Sequence, residues 1–233
     1  MIVMKRILLK LSGEALATEN KKYDDKIILN IAKQVNSLLM LGYQIGIVIG
    51  GGNYWRGRSS ENIDRTKADQ IGMLATVMNC IYVSEMFRSV GMETEILTPF
   101  TCSTFTQMFS KDYAVNALVA GKVVFFAGGT GHPYFSTDTG VVLRAIEVDA
   151  DGIYLAKAID GVYDDDPRTN PNAKKYDEVS IFEVIERNLQ VVDMTASIMA
   201  RDNKMPMWVF DLTEENSIVK AISGDFTGTK VTV

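Results

Sequence analysis

The sequence contains few of the residues that bind metals or form cross-links. Among its 233 residues are two cysteines, Cys80 and Cys102, and a single histidine, His132, and no Cys-x-x-Cys pair is present. A structural zinc site needs about four such ligands, so the composition argues against a metal site built from cysteine and histidine. Two isolated cysteines also do not make a disulfide framework, and we expect a reducing, cytoplasmic location.

The sequence also lacks a long apolar run. Charged residues interrupt the segment 1–16, which is therefore not expected to be a signal peptide. No other stretch approaches the roughly 20 apolar residues that a membrane span requires. The formal net charge is −5, whereas proteins that bind duplex DNA usually present a basic face. We therefore expect neither a membrane nor a nucleic acid as a partner.

Short apolar segments alternate with amphipathic segments along the chain. Strands are predicted at 6–11, 44–49, 93–97, 122–127, 152–156 and 207–210, and helices at 27–39, 67–90, 110–120, 138–148 and 195–203. Strands that are almost continuously apolar suit a sheet covered on both faces, and their alternation with helices is typical of parallel sheets. The pattern predicts an α/β fold, a three-layer αβα sandwich with a mainly parallel central sheet.

The predicted elements are not separated by an obvious linker. We therefore expect a single domain, 1–233, with an N-terminal lobe at about 1–150 and a C-terminal lobe at about 151–233. The least regular segment is 157–177, which is rich in Asp, Pro, Asn and Lys. This composition predicts either a hairpin or a lid on the second lobe.

Three predicted strands end in loops that contain glycine. These loops are KLSGEAL from Lys10, GGGN from Gly50 and AGGTGHPYFSTD from Ala127. In a parallel sheet they would emerge at one edge, where ligands bind, and their backbone amides could hold oxyanions. The glycines do not belong to a P-loop, because no Lys-Ser or Lys-Thr follows them. GGGNYW also lacks the third glycine of the dinucleotide-binding fingerprint.

Each of these features also has a purely structural explanation. Lys10 could be a charged residue at a strand end, and Arg56 a solvated residue at a helix start. Asp69 could be solvated on a helix face, and Asp138 could cap a helix. This explanation requires all four residues to gather at one sheet edge independently of one another.

In their order and spacing, five stretches resemble the amino acid kinase superfamily, and within it the bacterial UMP kinases. The stretches are KLSGEAL, VIGGGNYWRG, DQIGMLATVMN, AGGTGHPYFSTD and DGVYDDDP, and the resemblance covers essentially the whole chain. It implies an enzyme of pyrimidine nucleotide biosynthesis that transfers the γ-phosphoryl group of MgATP to UMP, with UDP and ADP as products. Such a transfer requires two anions to be aligned and their charge to be neutralised.

The resemblance implies roles for four charged residues. Lys10 is expected to contact the transferring phosphoryl group, and Arg56 to bind the phosphates and stabilise the transition state. Asp138 is expected to orient Lys10 or the loop, and Asp193 is another candidate for a carboxylate that orients the lysine. We assign no metal ligands, because Mg²⁺ usually keeps several waters and is carried by the substrate phosphates.

The resemblance also implies two sets of nucleotide-binding residues. The ATP-binding residues are Lys10, Leu11, Ser12, Gly13, Gly52, Arg56, Lys157, Tyr163 and Asp166. The UMP-binding residues are Gly51, Asp69, Thr130, Gly131, His132, Pro133, Tyr134, Phe135, Ser136 and Thr137. The UMP set falls in the N-terminal lobe, whereas the residues expected to hold the adenosine fall in the C-terminal lobe.

Three of these residues have a more specific expected contact. Tyr163 is expected near the adenine base and Asp166 near its ribose, and Asp69 is expected to accept hydrogen bonds from the UMP ribose, since a carboxylate only accepts. Lys157 stands where relatives often have Thr or Asn. We therefore expect its contact with adenine to run through its backbone alone.

Regulation and assembly are also implied by the resemblance. UTP is expected as a feedback inhibitor and a homohexamer as the assembly, although the apolar, Met-rich segment 67–90 suits either a subunit interface or a core. Two positions depart from the family pattern. Segment 17–25 contains no glycine where many relatives have a glycine-containing segment tied to GTP activation, so GTP activation is not expected. His132 stands where many relatives have Asn.

Two other functions remain open from the residues. A sister kinase that forms an acyl phosphate from aspartate, acetylglutamate or carbamate would need a carboxylate-binding site in place of Asp69 and the segment 130–137. A nucleotide- or oxyanion-binding module without turnover would be expected to lack Lys10 or Arg56, and both are present.

Overall fold

The computed structural model of the chain describes residues 6–18, 20–55 and 62–233. The strands in this part are β1 (Arg6–Leu11), β2 (Gln44–Ile49), β3 (Thr94–Thr98), β4 (Gln107–Met108), β5 (Val123–Phe126), β6 (Gly152–Lys157), β7 (Val162–Tyr163), β8 (Lys175–Tyr176), β9 (Glu178–Ser180), β10 (Met207–Asp211) and β11 (Thr229–Thr232). The helices are α1 (Asp25–Met40), α2 (Arg65–Arg88), α3 (Lys111–Val119), α4 (Thr137–Glu147), α5 (Ile181–Glu186), α6 (Met194–Asp202) and α7 (Ser217–Ser223), with a short 3-10 helix at Glu14–Leu16.

The central sheet has nine strands in the order β4-β3-β5-β2-β1-β6-β10-β11-β9. All neighbouring strands pair in parallel except β10 and β11. One face of the sheet is covered by α1, α2 and α7, and the other by α3, α4, α5 and α6. An apolar cluster lies between the sheet and the helices on each face. The predicted three-layer αβα sandwich with a mainly parallel sheet is confirmed.

The first helix and the strand after it show how the sequence specifies this fold. The Asp24 side chain caps α1 by accepting hydrogen bonds from two backbone amides of the first turn. The apolar residues of the helix recur on one buried face, and Gly42 follows with a φ of +86° that favours glycine. Strand β2 is buried at every position because helices cover both faces of the sheet.

All six predicted strands and all five predicted helices are present, with small shifts at their ends. Strand β3, for example, spans 94–98 rather than 93–97. The hairpin predicted as one of two possibilities for 157–177 is confirmed, since β7 and β8 pair antiparallel there. Sequence reasoning missed the short elements β4, β9, β11, α5 and α7, which contain too few residues to show a clear period. Within the described residues, none of the helices is long and apolar enough to cross a membrane.

Candidate active site

The three glycine-containing loops leave the sheet at one edge. They follow β1, β2 and β5, which run in the same direction, and β1 lies between β2 and β6 in the centre of the sheet. We call α2 together with the loops 50–55 and 128–137 the α2 side of this edge. We call the β7–β8 hairpin together with residues 187–190 the hairpin side. Strand β1 ends between the two.

Lys10 near the end of β1 forms an ion pair with Asp138 in the first turn of α4. Lys10 Nζ lies 2.8 Å from Asp138 Oδ1, and the two side chains are 13% and 20% exposed. Such partial burial strengthens the attraction and restricts the ammonium to one place. The structural explanation of Asp138 as a helix cap is wrong, because Ser136 caps α4 and accepts hydrogen bonds from the amides of Asp138 and Thr139.

Asp193 joins the starts of α4 and α6. It caps α6 by accepting from the Ala196 amide at 3.0 Å, and it also accepts from the Ser136 hydroxyl and, at 3.0 Å, from the Thr139 hydroxyl. The positive ends of two helix dipoles are thereby held at the edge where Lys10 lies. Among the contacts of the described residues, Asp193 orients the loop before α4 rather than Lys10 itself.

A buried cluster of side-chain amides, the amide clamp, ties the second glycine loop to α2. The Asn79 amide donates to the Gly50 carbonyl at 2.7 Å and to Asn53 Oδ1 at 2.8 Å, and Asn53 donates back to Asn79 Oδ1 at 3.1 Å. Gly13 of the first loop packs directly against this cluster, where a Cβ would lie 2.3 Å from the Gly50 carbonyl oxygen. Sequence reasoning assigned no role to Asn79, whose signal is a polar residue on the buried face of a long helix.

The same helix holds the third loop through two further side chains. The Thr76 hydroxyl accepts a hydrogen bond from the Gly128 amide at 2.7 Å. Asp69 Oδ2 accepts from the Tyr134 amide and from Arg65 Nε, both at 2.8 Å. One face of α2 therefore fixes the loops that follow β2 and β5, and the α2 side is rigidly connected.

A cavity of about 140 Å³ lies between α2 and the third loop. It is lined by seven of the predicted UMP-binding residues, namely Gly51, Asp69, Thr130, His132, Phe135, Ser136 and Thr137, together with Trp55, Gly129 and four further residues of α2. Gly131, Pro133 and Tyr134 belong to the same loop but do not line the cavity. Because Arg65 and Tyr134 occupy one oxygen of Asp69, a sugar hydroxyl would bind the other oxygen or displace Arg65.

Tyr163 and Asp166 lie on the hairpin side, where both line a cavity of about 340 Å³. The Tyr163 hydroxyl donates to Asp160 at 2.7 Å. Asp166 is half-buried and accepts two hydrogen bonds from the Arg168 guanidinium, at 3.0 Å and 2.9 Å, which lower the pKa of its carboxyl group. The adenosine-contact candidates therefore lie on the opposite side of β1 from the UMP-binding candidates.

Lys157 ends β6, the strand next to β1. Its side chain is directed into the protein, where Nζ donates to the Val191 carbonyl. Burial lowers the pKa of Lys157, and the nearby charge of Lys10 lowers it further, whereas the Asp138 carboxylate raises it. The structure therefore brings this ammonium close to the Lys10–Asp138 pair.

The remaining predicted residues are placed as follows. Leu11 is fully buried in the core, so only its backbone can meet a ligand, and Ser12 is half-buried at the start of the loop. Gly52 packs beside the Glu14 side chain. Arg56 lies outside the described residues. Within the described part of the chain, no three His, Cys, Asp or Glu side chains converge in a way that could hold a metal ion.

The chain belongs to the amino acid kinase family, whose family model matches residues 5–211. Two solved structures are similar to it over almost the whole length. The UMP kinase from Bacillus anthracis is 36% identical with a TM-score of 0.94, and the match covers 98% of this chain and 96% of that one. The UMP kinase from Ureaplasma parvum is 32% identical with a TM-score of 0.95, and the match covers 100% of both chains.

Proposed function

We propose that the protein is a UMP kinase, which transfers the γ-phosphoryl group of MgATP to UMP and releases UDP and ADP. The likeness to two UMP kinases over nearly the full chain supports this activity. The observation that carries the proposal is the position of Lys10. Its ammonium, held by Asp138, lies at the end of the strand between the α2 side and the hairpin side.

The chemistry of this edge suits phosphoryl transfer. The transition state is loose and highly charged, so catalysis depends mainly on alignment and on charge neutralisation. Lys10 supplies a fixed positive charge, and the starts of α4 and α6 add the positive ends of their dipoles. Asp138 acts by positioning Lys10. Arg56 is proposed as the second cation that binds the phosphates.

Each side of the edge is proposed to hold one nucleotide. UMP occupies the cavity of the α2 side, with its ribose at Asp69 and with the segment 130–137 around its base and phosphate. ATP places its phosphates along residues 10–13 and Gly52, and its adenosine beside Tyr163 and Asp166 on the hairpin side. The N-terminal lobe, about 1–150, is thus proposed to bind UMP. The C-terminal lobe, about 151–233, is proposed to bind the adenosine of ATP.

Magnesium enters with the nucleotide in this proposal. The carboxylates at the edge are already engaged, Asp138 by Lys10 and Asp193 by Ser136, Thr139 and the Ala196 amide. This donor set fits an ion held mainly by phosphate oxygens and water, which is the usual state of Mg²⁺ on a nucleotide. When bound, the ion neutralises phosphate charge, and Lys10 and the backbone amides orient the phosphates around it.

Self-association is proposed through the outer face of α2. Ile71, Leu74, Met78 and Ile81 recur at helical spacing there and are 38–52% exposed. An apolar stripe of this kind on a helix is suited to burial against a second copy of the chain. We propose a homo-oligomer, with six subunits as the family resemblance implies. Sedimentation of the chain with and without Leu74→Glu tests whether this face holds the subunits together.

A coupled assay of ADP release from MgATP tests the proposed reaction. The acceptors supplied in turn are UMP, CMP, AMP, GMP, aspartate, acetylglutamate and carbamate. We expect rapid ADP release with UMP only, and inhibition when UTP is added. ADP release with aspartate, acetylglutamate or carbamate but not with UMP would identify a sister kinase. Nucleotide binding without ADP release in the presence of UMP would identify a binding module.

A further inference from the structure

Lys157 and Lys10 approach the same region from neighbouring strands. In the parallel register of β1 and β6, Lys10 lies opposite Leu155 and Leu11 opposite Ala156. Side chains alternate between the two faces of a sheet. Lys157, two residues beyond Leu155, therefore points to the same face as Lys10, the face covered by α4 and α6. Both ammonium groups thus lie beneath the starts of these two helices.

The Lys157 ammonium is largely removed from solvent, with little to balance its charge. Its described hydrogen bond goes to the neutral carbonyl of Val191, although an ammonium has three protons to donate. In the described part of the chain, no carboxylate forms an ion pair with Lys157. The negative charge of Asp138 raises the pKa of Lys157, but Asp138 is paired with Lys10. Burial of a charge without a partner is costly. An anionic ligand at this edge would offset the cost.

The position of Lys157 indicates which anion it meets. The chain continues from Lys157 directly into the β7–β8 hairpin, so the residue lies on the hairpin side of Lys10. UMP is proposed to bind on the opposite side, beyond β2. The phosphate chain of ATP has to pass between the hairpin side and Lys10, and it therefore passes the Lys157 side chain.

We propose that Lys157 is a second phosphate-binding lysine, whose ammonium leaves the Val191 carbonyl to bind the terminal phosphates of the nucleoside triphosphate beside Lys10. The inference rests on the proposed function for the identity of the triphosphate as the phosphoryl donor. It replaces the expectation that Lys157 meets ATP through its backbone alone.

The test separates the charge of Lys157 from its tether to Val191. Lys157→Gln keeps an N–H donor for the Val191 carbonyl but removes the charge, Lys157→Met removes both, and Lys157→Arg keeps the charge. Binding of adenosine, UMP and a non-hydrolysable MgATP analogue is measured by calorimetry for each variant. Lys230→Gln on β11, an exposed lysine paired with Glu178, is the matched control.

We expect Lys157→Gln to weaken the binding of the MgATP analogue roughly tenfold or more, because a charge-assisted hydrogen bond is lost. Adenosine and UMP should bind as they do to the unaltered protein, and Lys157→Arg should restore most of the affinity. Unchanged binding of the analogue to the Gln and Met variants would overturn the inference. So would equal weakening of adenosine and the analogue, because that result indicates a structural tether.

This outcome can be distinguished from failure of the proposed function. If the unaltered protein releases no ADP with UMP, the proposed reaction is wrong, and the comparison of adenosine with the analogue still reports on Lys157. If the unaltered protein turns over UMP but Lys157→Gln binds the analogue normally, only the role of Lys157 is wrong. Thermal unfolding of each variant shows whether the Gln substitution leaves the fold intact, and the Met variant shows the effect of losing the tether.

Discussion

The α2 side and the hairpin side of the edge are built in different ways. On the α2 side, Thr76 and Asn79 are buried and bond to loops far away in the sequence. On the hairpin side, the Thr229 hydroxyl of β11 accepts from the Val162 amide and donates to the Tyr176 carbonyl, which ties the base of the hairpin to the sheet. The loop of the hairpin is different, because the half-buried Asp166 side chain bonds to Arg168 two residues away. Bonds between distant segments fix a site before a ligand arrives, whereas local bonds at the surface fix only the segment itself. The proposed UMP site is therefore preformed, whereas on the hairpin side the loop around Asp166, but not the base of the hairpin, depends on the nucleotide to order it.

The largest effect is expected where the two sides meet. Lys10→Met should reduce kcat by roughly 10²- to 10³-fold, as removal of a donor to a developing charge does in comparable sites. Steady-state kinetics with UMP and MgATP measure it. Lys111→Met, an exposed lysine paired with Asp149, is the matched control and should retain normal turnover. A Lys10 variant with nearly normal kcat would show that the two sides do not meet at this ammonium.

Loss of the amide clamp should damage the α2 side and leave the hairpin side intact. Asn79→Leu leaves the Gly50 carbonyl and the Asn53 side chain without their partner, so we expect unfolding to be easier by about 2–3 kcal/mol. Urea unfolding measures this change. Asn116→Leu on the exposed face of α3 should shift stability by less than about 0.5 kcal/mol. Equal stability of the two variants would mean that the clamp does not hold the second glycine loop.

Substitution of Asp69 tests the assignment of UMP to the α2 side. Asp69→Asn replaces one accepting oxygen by an amide group that cannot accept from a sugar hydroxyl. We expect the apparent KM for UMP to rise several-fold, while the apparent KM for MgATP changes little. Asp112→Asn, an exposed carboxylate in the first turn of α3, serves as the control. Equal effects on the two substrates would contradict the ribose contact.

The smallest effect is expected on the hairpin side. Asp166→Ala removes a carboxylate whose partner is two residues away, so the melting temperature should not change measurably. We expect the apparent KM for MgATP to rise a few-fold and the apparent KM for UMP to stay unchanged. Arg168→Ala, which removes the partner of Asp166 and keeps the carboxylate, should change neither apparent KM. A large loss of stability in the Asp166 variant would show that the loop of the hairpin is fixed as firmly as the α2 side.

The sequence predicted those parts of the fold that depend on local patterns. The apolar period of α1, its end near Gly42 and the continuous apolar run of β2 are all readable within a short window. Strand β11 was not predicted, because it has four residues, of which only Val231 is strongly apolar, and it is specified by its pairing with β10 and β9. Elements of this length depend on neighbours that are distant in the sequence.

In the candidate site, too, features that follow from local motifs could be predicted, and features that depend on distant contacts could not. The placement of Lys10 and Asp138 at one edge follows from motifs at the ends of parallel strands, and the structure brings the two side chains together. The role of Asn79 could not be predicted, since its partners lie 26 and 29 positions away. The position of Asp193 was anticipated, but its contacts with Ser136 and Thr139 depend on the packing of α4 against α6.

A crystal structure with UMP and a non-hydrolysable MgATP analogue tests the central claim most directly. We predict that UMP lies in the α2-side cavity with its ribose at Asp69, that adenosine lies at the hairpin side, and that Lys10 Nζ is about 3 Å from an oxygen of the γ-phosphoryl group. Both nucleotides on one side of β1, or a γ-phosphoryl group beyond the reach of Lys10, would contradict the account.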